Sequence, residues 1–228
     1  METFPQVIKV RDQQEGLNCA RDILYKKSDN QTLLLLSGGS TPKDLYETLA
    51  KEKILKAKAL GMVDERIDRS NYKMIKSTGL LDYFENLRIN FYPMISFNAY
   101  DKKIRDLIKS SKNKIAIMGI GEDGHTAGLP AGIPHFAKAS RGEQNSKFKI
   151  QNYVTDIGNF PGEFKKRITL TFRALSEMDL FIVMVFGGGK EEALRAMFKK
   201  GPIEEIPARF YARKDIAKKT ILITDQKI

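Results

Sequence analysis

Short apolar runs of strand length alternate with helical segments along the chain, and this alternation limits the possible folds more than any other feature. Leu180–Phe186 is the most apolar run, and Thr32–Leu36 carries four consecutive leucines. Strands without a polar face are typical of a parallel sheet that is covered on both faces. The alternation therefore predicts an α/β fold with a mostly parallel sheet. The further strands are predicted at Phe4–Val10, Ala59–Val63, Arg88–Tyr92, Ile115–Met118, Lys149–Thr155, Arg167–Thr171 and Thr220–Thr224.

The predicted helices lie between these strands. In Gln13–Lys27, for example, Leu17, Ala20 and Leu24 recur at helical spacing. We therefore expect a Rossmann-like, mostly parallel sheet flanked by helices on both faces, in a single domain spanning residues 1–228. The other helices are predicted at Asp44–Lys53, Ser70–Ile75, Leu80–Glu85, Ala99–Ser110, Glu191–Phe198 and Pro207–Arg213, and Gly132–Phe148 is predicted to be irregular. Ser70 and Asn71 are predicted to cap the helix that runs through Ile75.

The composition is that of a globular chain, with 42% hydrophobic and 29% charged residues. The single cysteine, Cys19, excludes an intramolecular disulfide and favours a reducing compartment. Residues 1–10 lack the basic and apolar regions of a signal peptide, and no apolar run is long enough to cross a bilayer. We expect a cytoplasmic protein that has no membrane partner.

The formal net charge of +11 allows nucleic-acid binding or a basic surface that steers anionic substrates. The basic residues are spread along the chain and mixed with acids, and the densest cluster lies between Arg209 and Lys219. This distribution favours the basic surface over a nucleic-acid site.

The loop after Ile115–Met118 is the leading candidate for an active site. It reads Gly119-Ile-Gly-Glu-Asp-Gly-His125, with three glycines that allow a ligand to approach the backbone closely. Asp123 and His125 stand at the carboxyl end of a strand, where open α/β sheets bind their ligands. The same letters fit the dinucleotide fingerprint, but glycines and a proline follow where that fingerprint requires a helix, so we reject it.

A second glycine-rich turn, Ser37-Gly-Gly-Ser-Thr-Pro42, precedes a predicted helix. Thr41 is a natural N-cap and Pro42 a natural first helical residue. The free N–H groups of a helix start, together with two hydroxyl groups, can bind an anion. The alternative is a capped turn without a ligand; the pair of glycines favours phosphate bound by Gly38, Gly39, Ser40 and Thr41.

Two other strand ends carry charged residues. Asp64-Glu65-Arg66 is either a solvated turn or a functional cluster, because ionisable groups are costly there unless they are exposed or paired. Gly187-Gly-Gly-Lys190 lacks the Ser or Thr after the lysine and the upstream glycine of a P-loop, so no Walker site is predicted. Lys190 is nevertheless well placed to meet an anion.

Four stretches in this order resemble the 6-phosphogluconolactonase family, which shares a superfamily with glucosamine-6-phosphate deaminase. Each motif is weak alone, but the four together are specific and span nearly the whole chain. They are Ser37–Pro42, Asp64–Arg66 with Ser70-Asn71, Gly119–Thr126, and Arg167–Thr171 with Gly189-Lys190.

Two features favour the lactonase over the deaminase within this resemblance. Arg66 follows Asp-Glu where the deaminase typically has tyrosine, and Thr126–Phe136 lacks the carboxylate that the deaminase carries shortly after its histidine. The chain departs from the usual lactonase pattern in the short segment Ile67–Arg69 and in Gly128-Leu-Pro130.

The resemblance implies hydrolysis of 6-phospho-D-glucono-1,5-lactone to 6-phosphogluconate in the oxidative pentose phosphate pathway. His125 would be the general base that activates water, and Asp123 would orient the imidazole. The substrate phosphate would be bound by Gly38, Gly39, Ser40 and Thr41 together with Arg66, Arg167 and Lys190.

No metal or cofactor is expected, because no cluster of His, Cys and carboxylates has metal-ligand spacing. The expected partner is a small sugar-phosphate lactone, without nucleic acid or membrane, and the protein is expected to be a monomer or a small homo-oligomer. The alternatives are a deaminase-like sugar-phosphate isomerase, a non-catalytic sugar-phosphate-binding protein and a basic nucleic-acid binder.

Overall fold

A computed structural model describes residues 4–132, 152–161 and 164–227 of the chain. These residues form ten strands in two sheets. The strands are β1 (Gln6–Lys9), β2 (Thr32–Leu36), β3 (Ala59–Met62), β4 (Asp64–Arg66), β5 (Phe91–Tyr92), β6 (Asn113–Gly119), β7 (Val154–Ile157), β8 (Arg167–Leu170), β9 (Leu180–Val185) and β10 (Thr220–Thr224).

The larger sheet has seven strands in the order β1-β10-β9-β6-β2-β3-β5, and every neighbouring pair is parallel. This confirms the predicted α/β class. All five residues of β2 are buried, because it lies near the middle of the sheet and is covered on both faces. Burying each leucine of β2 contributes roughly 1.5–3 kcal/mol.

The helices connect the parallel strands. The chain passes from β2 to β3 in one direction along the sheet and from β6 to β9 in the other. Because such crossovers are almost always right-handed, the two sets of connections place their helices on opposite faces. The helices are α1 (Gln13–Lys27), α2 (Ser40–Glu52), α3 (Ser70–Ser77), α4 (Leu80–Asn86), α5 (Phe97–Ser110), α6 (Phe172–Ser176), α7 (Glu191–Phe198) and α8 (Lys214–Ala217), with a 3₁₀ helix at Pro207–Ala212.

The second sheet was not predicted. It has three antiparallel strands in the order β4-β8-β7. The sequence suggested that Asp64–Arg66 is the end of the preceding strand. In the structure β3 ends at Met62, and after Val63 these three residues form the separate strand β4. Three residues are too few to show the alternation by which a strand is recognised.

Two other predictions need correction. The strand predicted at Arg88–Tyr92 is reduced to the two residues of β5. Arg88 has a φ of +58°, and its N–H donates to the carbonyl of Glu85 at the end of α4, so it cannot begin a strand. Helices α6 and α8 were missed because they are only five and four residues long. The predicted irregular stretch after Gly132, and the start of the strand predicted at Lys149, lie outside the described residues.

Among the helices that the structure describes, none has both the length and the apolarity needed to cross a bilayer.

Candidate active site

A cavity of about 300 Å³ opens at the carboxyl ends of β2, β6 and β9. The connections of β2 and β6 leave in opposite directions, and this is where open α/β sheets bind ligands. Eight of the nine residues singled out from the sequence line the cavity, and the ninth, Asp123, contacts one of them. The eight are Gly38, Gly39, Ser40, Thr41, Arg66, His125, Arg167 and Lys190.

Asp123 and His125 form a hydrogen-bonded pair at the end of β6. Oδ1 of Asp123 lies 2.5 Å from Nδ1 of the imidazole and also accepts the backbone N–H of His125 at 3.1 Å. Burial raises the pKa of Asp123, but the hydrogen bond and charge of His125 outweigh it and lower the pKa to about 2. An ionised carboxylate can only accept, so Nδ1 carries the proton and Nε2 of the neutral ring remains a proton acceptor.

The glycines of this loop make room for the pair. A Cβ on Gly121 would lie 2.1 Å from the His125 ring, so a side chain there would displace the imidazole. Gly124 has a φ of +83° and its N–H donates to the carbonyl of Gly121 at 3.0 Å, which closes the tight turn that carries His125.

The turn after β2 differs from its prediction in one detail. The N-cap of α2 is Gly39, with a φ of +111°, and not Thr41. A helix that begins at Ser40 leaves the N–H groups of Ser40 and Thr41 outside the intrahelical hydrogen bonds, because the first such bond runs from Lys43 to the Gly39 carbonyl. Glycine is favoured at this N-cap because residues with side chains rarely adopt a φ of this value. The helix start still offers free donors and hydroxyls to an anion.

Arg66 and Arg167 are direct register partners on β4 and β8. Two like charges opposite each other across an antiparallel pair destabilise a sheet unless an anion lies between them. Burial lowers the pKa of Arg167, and the charge of Arg66 adds to the lowering. The Nε atoms of both arginines are buried and have no hydrogen-bond partner among the described residues. The geometry is that of an anion site with donors to spare.

Lys190 adds a third cation to the cavity. It follows the glycines after β9, and its Nζ donates to the carbonyl of Ile120 at 3.1 Å. This bond holds the ammonium beside the loop that carries His125, while its remaining protons stay available to a ligand.

Asp64 was the acidic residue with no assigned role, and the structure buries it against the cavity. Its Oδ2 lies 3.8 Å from Arg167 and accepts from the Asn71 amide at 3.2 Å. Burial raises the pKa of Asp64, and the charges of Arg167, His125 and Arg66 oppose that rise. Its burial beside Arg167 could not be inferred from a three-residue motif.

Glu65 has a structural role. Its Oε1 accepts the N–H of Asn71, its Oε2 accepts the N–H of Tyr72, and both bonds cap the start of α3. The N-cap position of α3 is Arg69, with a φ of +60°, so the prediction that Ser70 and Asn71 cap the helix is wrong. The sequence could not indicate a cap supplied by a carboxylate from the preceding strand.

Comparison with known proteins agrees with this architecture. The family model of glucosamine-6-phosphate isomerases and 6-phosphogluconolactonases matches residues 14–222. The chain belongs to this family.

Relatives within the family include 6-phosphogluconolactonases from several bacteria. The protein from Xylella fastidiosa is 32% identical over 77% of this chain and 75% of its own length. The protein from Rhizobium meliloti is 27% identical over 79% of each chain. The solved structure of 6-phosphogluconolactonase from Trypanosoma cruzi covers 98% of this chain and 95% of its own, with a TM-score of 0.74 and 23% identity, and shares the fold.

Proposed function

We propose that this chain is an enzyme that hydrolyses 6-phospho-D-glucono-1,5-lactone to 6-phosphogluconate, in the oxidative pentose phosphate pathway. The observation that carries the proposal is the placement of two functions in one cavity. His125, paired with Asp123, lines this cavity together with Arg66, Arg167 and the start of α2. The Nε atoms of both arginines have no hydrogen-bond partner in the part of the chain that the structure describes. The 6-phosphogluconolactonases from Rhizobium meliloti and Xylella fastidiosa, which are 27% and 32% identical to this chain, support the same substrate.

In the proposed mechanism, Nε2 of His125 takes a proton from water as the water oxygen attacks the lactone carbonyl carbon. The resulting imidazolium is stabilised by Asp123, which stays ionised because its pKa is about 2. The tetrahedral intermediate then collapses with cleavage of the bond between C1 and the ring oxygen. The imidazolium returns its proton to that oxygen, so the products are a carboxylic acid and a hydroxyl, and His125 is neutral again.

The phosphate of the substrate provides binding energy at a distance from the reacting carbon. Arg66 and Arg167 can each bind it through two donors, and Lys190 acts as a compact charge. The N–H groups at the start of α2, with the hydroxyls of Ser40 and Thr41, complete the anion site. A lactone without a phosphate group has no negative charge for these cations to bind, so the site should select the phosphorylated lactone.

We propose a cytoplasmic setting and no nucleic-acid partner for this enzyme. The single cysteine supports a reducing compartment. The basic surface, with a net charge of +11, suits attraction of a dianionic substrate.

A deaminase-like sugar-phosphate isomerase is the second candidate, and Asp64 is the observation that favours it. A buried carboxylate at the cavity, with a raised pKa, is suited to moving a proton between adjacent carbons. Against it, Thr126–Phe136 holds no carboxylate that could complete such acid–base chemistry.

The direct test supplies freshly made 6-phosphogluconolactone to the purified protein and follows formation of 6-phosphogluconate through a coupled dehydrogenase. The spontaneous rate, measured with heat-inactivated protein, is subtracted. A rate well above the spontaneous one that scales with protein concentration is expected, and a rate equal to it would reject the proposal.

A further inference from the structure

We propose that Phe160 and Phe164, on the connection between β7 and β8, are positioning residues that hold the two arginines of the anion site. The inference rests on the proposed function only for the identity of the ligand. Both rings lie over a guanidinium group, and the two guanidinium groups belong to the register partners Arg167 and Arg66.

Phe160 makes the closer of the two stacks. The Cζ atom of Arg167 lies 3.4 Å from the centroid of its ring, and Phe160 is 4% exposed. The Asp64 carboxylate lies 3.8 Å from Nη1 of the same guanidinium group. A ring face within 6 Å of a desolvated cation attracts it electrostatically, so both an aromatic face and a carboxylate hold Arg167.

Phe164 repeats the arrangement on the neighbouring strand. The Cζ atom of Arg66 lies 4.4 Å from its ring centroid, and the same guanidinium donates a hydrogen bond of 3.5 Å to the Ser70 hydroxyl. Phe160 and Lys165, the residue after Phe164, are joined by a hydrogen bond of 2.8 Å from the Phe160 N–H to the Lys165 carbonyl.

The two aromatic rings counteract the repulsion that arises because Arg66 and Arg167 are register partners. Two opposed arginines repel each other, and without an anion their side chains gain by turning outward into water. A ring face fixes the plane of a guanidinium while leaving its in-plane N–H donors free, which a hydrogen-bonded partner would not do. The free cavity is thereby organised for phosphate, so less ordering has to occur when the ligand binds.

Phe160 also contacts the catalytic loop. Its ring meets the His125 imidazole edge to face, with centroids 5.1 Å apart and planes at 88°. One side chain therefore fixes the distance between the proposed base and a phosphate-binding cation. We expect a change at Phe160 to lower kcat as well as affinity, and a change at Phe164 to lower affinity alone.

The test compares Phe160→Leu and Phe164→Leu with wild type, using calorimetric binding of 6-phosphogluconate and of inorganic phosphate. Leucine keeps an apolar side chain but removes the flat face, so each variant should bind both ligands about threefold to tenfold more weakly. Phe160→Tyr, which keeps the ring, should bind more tightly than Phe160→Leu. Phe172→Leu is the matched control, since Phe172 is also buried and stacks on Phe210 instead of an arginine; its affinity should match that of wild type.

A double-mutant cycle separates positioning from general destabilisation. In an Arg167→Met background, Phe160→Leu should have no further effect on phosphate affinity, because the group that it holds is gone. Equal losses with and without Arg167, or unchanged affinity in both leucine variants, would overturn the inference. Weakened phosphate binding in a protein that does not hydrolyse the lactone would reject the proposed function and leave this inference standing.

Discussion

At the level of single residues, the proposed chemistry depends most on His125. We expect His125→Ala to lower kcat by about 10²-fold or more, because general-base assistance contributes that much. KM should change little, since the imidazole is not assigned to the phosphate. Steady-state kinetics on the lactone, with circular dichroism to show that the variant is folded, measures both parameters. A folded variant with near-normal kcat would remove His125 from the mechanism.

The phosphate site predicts a selective loss of binding. Lys190→Ala should raise KM for the phosphorylated lactone and have much less effect on unphosphorylated gluconolactone, because the lost contact is to phosphate. Lys199→Ala, an exposed lysine at the end of α7, is the control and should leave both substrates unaffected. If Lys190→Ala slowed both lactones to the same degree, the assignment to phosphate would be wrong.

The pairing of Asp123 with His125 predicts a pH-dependent contribution to stability. The folded pKa of Asp123 lies below its ordinary value of 3.8, at about 2. The carboxylate therefore stabilises the fold above about pH 4, and this stabilisation is lost as the pH falls towards 2. As the pH falls through that window, the free energy of urea unfolding should fall more steeply for wild type than for Asp123→Asn. Parallel curves for the two proteins would show that the pair adds no stability.

Much of the site could be predicted at this scale because its residues cluster in short glycine-rich stretches. Gly38, Gly39 and His125 each belong to a motif whose backbone requirement is visible in the sequence. Phe160 gave no such signal, because a lone phenylalanine between a glycine-containing turn and a strand is usually part of a core. Its contacts with an arginine and a histidine depend on how distant strands pack.

At the scale of elements, strand β2 provides the rigid support of the anion site. Leu34 is fully buried in the middle of β2, with partners on both β3 and β6. Leu34→Ala should lower the free energy of unfolding by about 2–5 kcal/mol, because it leaves a cavity in a close-packed core. Leu87→Ala, at a leucine that is 49% exposed, should change it by less than about 0.5 kcal/mol. Urea unfolding of both variants gives the comparison, and equal small losses would contradict the packing described for β2.

The elements that the sequence missed are the short ones. Strand β4 has three residues, and two of its side chains are acidic and buried, which is the opposite of a strand signature. Burial is tolerated because Asn71 and the start of α3 satisfy those carboxylates. Tertiary hydrogen bonds of this kind leave no local pattern in the sequence. The long apolar strands β2 and β9, in contrast, could be predicted from their composition.

At the scale of the whole molecule, the parallel sheet brings three distant loops together. The ends of β2, β6 and β9 are far apart in the sequence but adjacent in the sheet. The class of fold followed from alternation, but the strand order did not, since many orders satisfy the same alternation. The small antiparallel sheet then adds Arg66 and Arg167 from β4 and β8, so both sheets contribute cations to one cavity.

The proposed function assigns lactone hydrolysis, and not sugar-phosphate deamination, to this cavity. The most direct measurement gives the same protein preparation 6-phosphogluconolactone and glucosamine 6-phosphate in parallel, and compares the rate of 6-phosphogluconate formation with the rate of ammonia release. Lactone hydrolysis needs one proton moved by His125, whereas deamination needs further acid–base groups that Thr126–Phe136 does not supply. We predict rapid, enzyme-dependent hydrolysis without detectable ammonia. Ammonia released at a rate comparable to hydrolysis would contradict the account and make Asp64 a catalytic residue.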